Sequence, residues 1–287
     1  MRKLKWLFLL LVLALAGCTA KPQAPHRMQV VTSVDFYAEV AKAVVGDHGS
    51  VTSVINDPAV DPHDFDPTVA TGKLVAQSDL VLANGAGYDA WMNKLTAAEP
   101  DVATLSAAKI VGVHNGQNEH IWYTPTAMPK IANALAKKLG HLDPLHTADY
   151  QQNAKTYIAK LQPMMQLIDD LKQQSHGKSV AVSEPVFNNA LTFMGYRVAN
   201  THFAQAVEEG SDPSPQDVRR LDRQMATGKI AFFVVNTQVS SKIVDNAITT
   251  AKKYHIPILH VTETLPKGLS YTSWMLKQYR ELQTIQN

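Results

Sequence analysis

The sequence predicts an α/β protein of two lobes, each a mainly parallel sheet flanked by helices, joined by one long helical segment. Two observations predict this architecture. Apolar runs of strand length alternate with amphipathic stretches of helix length through both halves of the chain. Between the halves, residues 143–174 contain no glycine and repeat apolar side chains at helical spacing. A chain of 287 residues, 45% hydrophobic and 18% charged, has a globular composition and is long enough for two lobes.

The first half alternates strand-like and helix-like patterns. Strands are predicted at residues 28–32, 51–55 and 79–83. Helices are predicted at residues 34–45, from about Tyr88 onward, and at 125–139. Because strands separated by helices need crossover connections, the sheet is expected to be parallel. We assign residues 28–140 to the N-terminal lobe.

The connecting segment, residues 141–177, is predicted to be mostly one long helix. A straight helix over residues 143–174 would measure about 48 Å, enough to run along two lobes. Pro163 lies inside this stretch. Because proline lacks the N–H that a helix interior needs, we expect a kink or a break there.

The second half, residues 178–287, repeats the alternation and is assigned to the C-terminal lobe. Strands are predicted at residues 179–182, 197–199, 230–235 and 258–261. Helices are predicted at residues 185–194, 214–226, 240–254 and 271–286. Ser214-Pro215 places a capping residue directly before a proline in the first turn, which is a strong signal for a helix start.

The N-terminus has the pattern of an export signal. Arg2, Lys3 and Lys5 precede an apolar run at residues 6–16, which is too short to span a bilayer but suits a signal-peptide core. The run ends in Leu15-Ala16-Gly17-Cys18, which resembles a bacterial lipobox. We therefore predict a signal peptide at residues 1–17, a lipid-bearing Cys18 and a tether at residues 18–27. A plain signal peptide with an incidental cysteine is the alternative.

Charge excludes one class of partner. The formal net charge is +2, but removal of Arg2, Lys3 and Lys5 leaves 24 basic and 25 acidic residues. A nucleic-acid-binding protein would need a basic face. No nucleic-acid partner is therefore expected.

Four side chains stand at the ends of predicted strands or in the loops beyond them: His63, His120, Glu184 and Glu263. In open α/β sheets, ligands bind outside the carboxyl ends of the strands, and each half supplies two of the four. A histidine in an acidic loop is more often simply exposed to solvent. A carboxylate directly after a buried strand needs a partner, which is a cation, an arginine or a helix N-terminus.

Six short motifs occur in order from about residue 28 to the end. They are Asp61-Pro62-His63 with Pro67-Thr68, Asn84-Gly85 with Gly87, Asp89 and Trp91, His120 with Trp122, Glu184-Pro185-Val186-Phe187, Asp212-Pro213-Ser214-Pro215, and Thr262-Glu263-Thr264 with Tyr271 and Met275. With the lipobox, this series resembles the zinc/manganese solute-binding proteins of ABC transporters, in which a rigid helix links two lobes.

The resemblance implies a metal site made of His63, His120, Glu184 and Glu263. Glu263 stands where the family usually carries Asp, so its arm is one methylene longer. The resemblance also implies Zn²⁺ or Mn²⁺ as cargo, a permease and its ATPase subunit as partners, a monomer, and a lipid-anchored location outside the cell. Imidazoles suit zinc and carboxylate oxygens suit manganese. The lack of a long His-rich insert favours manganese, whereas the general affinity order favours zinc.

Further residues are candidates for holding the ligands or shielding them. Hydrogen-bonding partners of the ligands are expected among Asp64, Asp66, Asn84, Asp89 and Asn236, which could equally be loop caps. Trp122 and Phe187 are expected to shield the site from water. His114 and His260 are the rival histidines. The two ligand histidines predict that acid competes with metal between about pH 7.5 and 5.5.

Two other functions stay open on sequence grounds. A metal-dependent hydrolase would need an open coordination position and a general base, and the chain contains no His-Glu-x-x-His and no Gly-x-Ser-x-Gly motif. A non-enzymatic function is therefore expected. A surface adhesin of the same fold is the third possibility.

Overall fold

The computed structural model describes residues 26–287 and contains two sheets of four parallel strands. The predicted signal peptide, Cys18 and most of the predicted tether lie outside the described residues. Within the described part, no helix is both long and apolar enough to cross a membrane. The predicted two-lobed α/β fold is confirmed.

The first lobe is built on a sheet with strand order β2-β1-β3-β4. Its strands are β1 (Met28–Val34), β2 (Gly49–Ile55), β3 (Leu80–Ala83) and β4 (Ala103–Ser106). Its helices are α1 (Asp35–Val45), α2 (Val69–Ala76), α3 (Ala90–Ala97), α4 (Ala107–Val111) and α5 (Ala127–Leu142), with 3₁₀ turns at Gly46–His48 and Ile121–Tyr123. The parallel register brings the carboxyl ends of β1 and β3 side by side.

The second lobe repeats this plan with strand order β6-β5-β7-β8. Its strands are β5 (Ser179–Val182), β6 (Arg197–Val198), β7 (Phe233–Asn236) and β8 (Ile258–Val261). Its helices are α8 (Asn188–Met194), α9 (Thr201–Glu208), α10 (Pro215–Ala226), α11 (Lys242–Lys253) and α12 (Tyr271–Gln286), with a 3₁₀ turn at Pro185–Phe187. In both sheets the strand order reverses at the two central strands, which is where such folds bind ligands.

The connection between the lobes is two helices rather than one. A 3₁₀ turn at Pro144–His146 precedes α6 (Thr147–Lys160), and α7 (Gln162–Ser175) follows after Leu161. Pro163 lies in the first turn of α7, where its missing N–H costs no helical bond, so the predicted break is confirmed. Helix α6 packs on α1 and α5, whereas α7 packs on α8 and α12. Each half of the connection therefore joins one lobe, and the residue boundaries of the lobes stay predictions.

One strand and three helices were not predicted from the sequence. Strand β4 is an edge strand that is only partly buried, so it lacks a continuous apolar run. Helices α2, α4 and α9 are short, with eight, five and eight residues. The strand predicted at residues 230–235 begins only at Phe233, although Ile230 and Phe232 are already buried before it.

The two lobes share one hydrophobic core. The ring of Tyr123 packs on Phe187 with ring centroids 4.9 Å apart, and Phe36 lies 5.8 Å from Trp274. Tyr271 donates its backbone N–H to Oε2 of Glu39 at 2.6 Å, which places a carboxylate at the N-terminus of α12. Helix α12 therefore contacts both lobes and holds them together.

Candidate metal centre

His120 is completely buried directly before the 3₁₀ turn at Ile121–Tyr123. Oδ1 of Asn118 accepts the backbone N–H of His120 at 3.0 Å and lies 3.2 Å from its Nδ1. Since an amide oxygen only accepts, Nδ1 carries the proton and Nε2 keeps its lone pair. Nε2 has no hydrogen-bond partner among the described residues. Burial, helped by the charge of His63, lowers the pKa of His120 to about 3, so its imidazole is neutral.

Asn118 also ties His120 to the second lobe. Its Nδ2 donates to the carbonyl of Pro185 at 2.8 Å, next to Glu184. Asn189 donates to Asn118 Oδ1 at 3.0 Å and to the His120 carbonyl at 2.9 Å. The orientation of the imidazole therefore depends on contacts between the lobes.

His63 lies in the loop between β2 and α2. Its backbone N–H donates to Oδ1 of Asp61 at 2.8 Å, and Trp91 Nε1 donates to the carbonyl of Pro62 at 3.1 Å. The imidazole packs edge-on against Tyr88, with ring centroids 4.9 Å apart. Its side chain is 32% exposed, so His63 lies on the open side of the site.

Glu184 follows the central strand β5 and is 5% exposed. Nδ2 of Asn236, the last residue of β7, donates to its Oε2 at 2.9 Å. The backbone N–H of Asn236 donates in turn to Ser183 Oγ at 2.9 Å. Burial raises the pKa of Glu184 and the negative charge of Asp61 raises it further, against the hydrogen bond from Asn236.

Glu263 lies just beyond β8, in a loop that contacts the first lobe. Oε1 of Gln238 accepts the backbone N–H groups of Glu263 and Thr264 at 2.6 and 3.0 Å. Gln238 Nε2 and Thr264 Oγ1 both donate to the carbonyl of Pro58 at 2.9 Å. Oε1 of Glu263 is buried without a hydrogen-bond partner among the described residues. Burial and the charges of Asp61 and Glu184 raise the pKa of Glu263 to about 8, whereas the neighbouring Tyr88 hydroxyl acts to lower it.

Glu208, the last residue of α9, was not predicted from the sequence patterns. Its side chain lies beside the two histidines. Its Oε1 lies 3.4 Å from Nε2 of His120 and 3.8 Å from Nε2 of His63. Burial, followed by the charges of Glu263 and Glu184, raises its pKa to about 9. Glu119 approaches from the first lobe, with Oε1 3.8 Å from His63 Nε2.

The structure thus brings the predicted ligands to one cleft but does not draw all four equally close. In the described part of the chain, the ligand-type group with all donor atoms within 4.8 Å of one another is His63, Glu119 and Glu208. The charges of Glu263 and Glu184 raise the pKa of Glu208, which indicates that both carboxyl groups lie near this group. Asp61 acts on Glu184, Glu208 and Glu263 in the same way.

The predicted supporting residues divide into two kinds. Asn84 is buried, accepts from the Tyr37 hydroxyl at 2.6 Å and donates to the Glu119 carbonyl at 3.0 Å. Asp89 accepts the backbone N–H groups of Asn84 and Gly85 at 2.6 and 2.8 Å. This turn needs a glycine, since Gly85 has φ 80°. Asn236 holds Glu184 as described above, whereas Asp64 and Asp66 are exposed.

The predicted shielding rings lie at different places. The Trp122 ring is buried 5.2 Å from the imidazole of His120. Phe187 instead packs on Tyr123 and Tyr279 in the shared core. The rival histidines are exposed, and His260 pairs with Glu281 at 2.7 Å.

Some of the missed residues carried a signal in the sequence. Asp61, Asn118 and Glu119 each lie within two residues of a predicted ligand histidine. Asn two residues before a histidine can accept the backbone N–H of that histidine, as it does in this loop. Glu208 follows no strand, so only the packing of α9 against Pro185–Phe187 reveals it.

The arrangement is suited to a divalent cation. Neutral imidazole nitrogen and carboxylate oxygen are the donors that Zn²⁺ and Mn²⁺ accept in proteins. Buried carboxyl groups with raised pKa values repel one another when ionised, and a 2+ ion removes that repulsion.

Solved structures share the fold. The periplasmic zinc-binding protein TroA from Treponema pallidum superposes with a TM-score of 0.75 at 15% identity, over 91% of this chain and 99% of that one. Among curated proteins, a metal ABC transporter substrate-binding lipoprotein, ScbA from Streptococcus cristatus, is 25% identical over 96% of both chains. The manganese ABC transporter substrate-binding lipoprotein PsaA from Streptococcus pneumoniae is 25% identical over 94% of this chain and 93% of its own.

The sequence model of the family described as ZnuA, zinc-uptake complex component A, periplasmic, matches residues 30–285. That range includes every residue of the cleft between the lobes. TroA, ScbA and PsaA are each described as metal-binding or transport proteins, and none of the three as a hydrolase or an adhesin. The chain therefore belongs to the ZnuA family and is a metal-capturing solute-binding protein of the ABC-transporter type.

Proposed function

We propose that this protein captures one Zn²⁺ or Mn²⁺ ion between its lobes through His63, His120, Glu184 and Glu263. The observation that carries this assignment is the buried, neutral His120, whose Nε2 lacks a hydrogen-bond partner among the described residues and lies 3.4 Å from the carboxyl group of Glu208. Leaving a buried nitrogen unsatisfied is costly, and a metal ion would satisfy it.

Charge supports the same ligand set. Two neutral imidazoles and two carboxylates together cancel the charge of a 2+ ion, and a bidentate carboxylate would raise the ligand number above four. Within the described chain, Glu263 offers an unpartnered Oε1, whereas Glu184 is oriented by Asn236. The second lobe thus offers one carboxyl group held by Asn236 and one that lies beside the Tyr88 hydroxyl.

The assignment is tested by calorimetric metal titration of His120→Ala, with His114→Ala as the control. His114 lies in the same loop and is exposed, so its loss should leave affinity unchanged. His120→Ala should weaken binding by at least about tenfold. For the unchanged chain, metal at a hundred times its Kd should stabilise the fold by about 2.7 kcal/mol. Unchanged affinity in His120→Ala would exclude this site.

We further propose that Cys18 carries a lipid that holds the protein on the outer face of the cell membrane. The support is the lipobox-like sequence together with curated relatives that are lipoproteins. Cys18→Ser should move the protein from the membrane fraction to the soluble fraction with its metal affinity unchanged. A Cys18→Ser chain that keeps its membrane association after signal cleavage would contradict this.

The partners proposed are a membrane permease and its ATPase subunit, to which a monomer would deliver the ion without catalysing a reaction. ScbA and PsaA are substrate-binding components of ABC transporters, which supports this role. Metal uptake by cells lacking the gene, restored by the unchanged chain and not by His120→Ala, is the expected result. Hydrolytic turnover by the metal-loaded protein would contradict a purely carrying role.

A further inference from the structure

Glu208 occupies a position between the two histidines that the proposed four-ligand set leaves unused. Its side chain is only 10% exposed, and its Oε1 lies 3.4 Å from His120 Nε2 and 3.8 Å from His63 Nε2. The two imidazole nitrogens come from the first lobe, whereas α9 belongs to the second. Glu208 therefore reaches across the cleft.

These separations are close to those of donor atoms that share one ion. Zinc-bound nitrogen and oxygen lie about 2.0–2.2 Å from the metal, so two donors in a tetrahedron stand about 3.4 Å apart. Nε2 of His120 forms no hydrogen bond of good geometry with any described residue, although Oε1 of Glu208 lies 3.4 Å away. An ion bound to this buried nitrogen would therefore have Oε1 of Glu208 within reach as a second donor.

We infer that Glu208 is a fifth metal ligand, which makes the site richer in oxygen than the proposed set and favours Mn²⁺ over Zn²⁺. The inference rests on the proposed function. Zinc is satisfied by four tetrahedral donors, whereas manganese takes about six and prefers oxygen. A third carboxylate from the second lobe, beside Glu184 and Glu263, adds such an oxygen.

The test compares Mn²⁺ and Zn²⁺ affinities of Glu208→Ala and Glu208→Gln by calorimetry. Glu209→Ala is the matched control, because Glu209 is the next residue, has the same side chain and is exposed. We expect Glu208→Ala to weaken Mn²⁺ binding by at least about tenfold and Zn²⁺ binding by less. Glu208→Gln, which keeps one neutral oxygen and the side-chain volume, should fall between Glu208→Ala and the unchanged chain.

X-ray absorption of the Mn²⁺-loaded proteins supplies a second readout, in which Glu208→Ala should lose one oxygen neighbour. Equal or tighter binding of both ions by Glu208→Ala, with the same number of oxygen neighbours, would overturn the inference. His120→Ala, measured in parallel, distinguishes a failure of the Glu208 inference from a failure of the proposed function. If His120→Ala loses metal binding while Glu208→Ala does not, the proposed function stands without Glu208. If the unchanged chain binds neither ion, the proposed function fails as well.

Discussion

At the scale of single residues, the raised pKa values of the buried carboxyl groups lead us to expect that their protonation controls metal binding. His120 has a pKa of about 3, so it stays neutral between pH 5.5 and 7.5 and its titration does not limit metal binding there. Protonation of His120 therefore does not explain the competition between acid and metal that the sequence predicts. The pKa of Glu263 is about 8, so the metal-free protein holds a proton on this carboxyl group at neutral pH.

Metal binding at pH 7 should therefore release about one proton from Glu263, and a second from Glu208 when Glu208 also binds the ion, because the ion needs the carboxylate form. The measurement is calorimetry in buffers that differ in ionisation enthalpy. Apparent affinity should keep rising from pH 7.5 to about 9, through the pKa of Glu263. If histidine titration governed binding instead, affinity would level off above pH 7.5, and that result would refute the carboxyl explanation.

The same groups set the pH dependence of stability. The folded metal-free protein has pKa values of about 8 for Glu263 and about 9 for Glu208, both above the ordinary 4.5, so between these limits it binds more protons than the unfolded chain. The stabilisation is complete below about pH 4.5 and is lost as pH rises through 8 and 9. Deprotonation then leaves buried charges that a metal ion would neutralise.

At the scale of elements, strands and caps were predictable and the approach of α9 was not. Buried strands such as β3 and β5 appear as unbroken apolar runs, and Ser214 caps α10 through Asp217 N–H, as the Ser-Pro pair indicates. Glu184 and Glu263 follow strands, so parallel-sheet geometry predicted their place. The position of Glu208 depends on packing between distant segments, which periodicity does not encode.

A prediction at this scale concerns Gln238, in the loop after β7. Its side chain binds the backbone of the Glu263 loop and also the carbonyl of Pro58 in the first lobe. Gln238→Ala removes the acceptor of two backbone N–H groups and a donor to the first lobe. We expect a loss of about 1 kcal/mol in the free energy of unfolding, together with weaker metal binding. Chemical denaturation and metal titration measure the two effects.

Ser240→Ala is the control for Gln238→Ala, since Ser240 is exposed in the same loop. It should change neither quantity. Metal affinity that survives Gln238→Ala intact would show that the backbone of the Glu263 loop needs no such support.

At the scale of the whole molecule, the shared core predicts a small motion on metal binding. Tyr123 of the first lobe donates to the Thr262 carbonyl at 2.6 Å and packs on Phe187, so a wide opening would break buried contacts. We expect the radius of gyration from small-angle scattering to stay nearly constant when metal is added, while loops near His63 become ordered. A large compaction would show that the lobes rotate freely.

The contact between Glu39 and Tyr271 has a consequence for how the chain acquires its structure. These residues lie 232 positions apart, and Phe36 packs on Trp274 of the same final helix. The contacts of the first lobe with α12 can form only after α12 has been synthesised, so we expect the two lobes to complete their packing together. The nascent chain stays incomplete throughout translation, which suits a protein proposed to be exported.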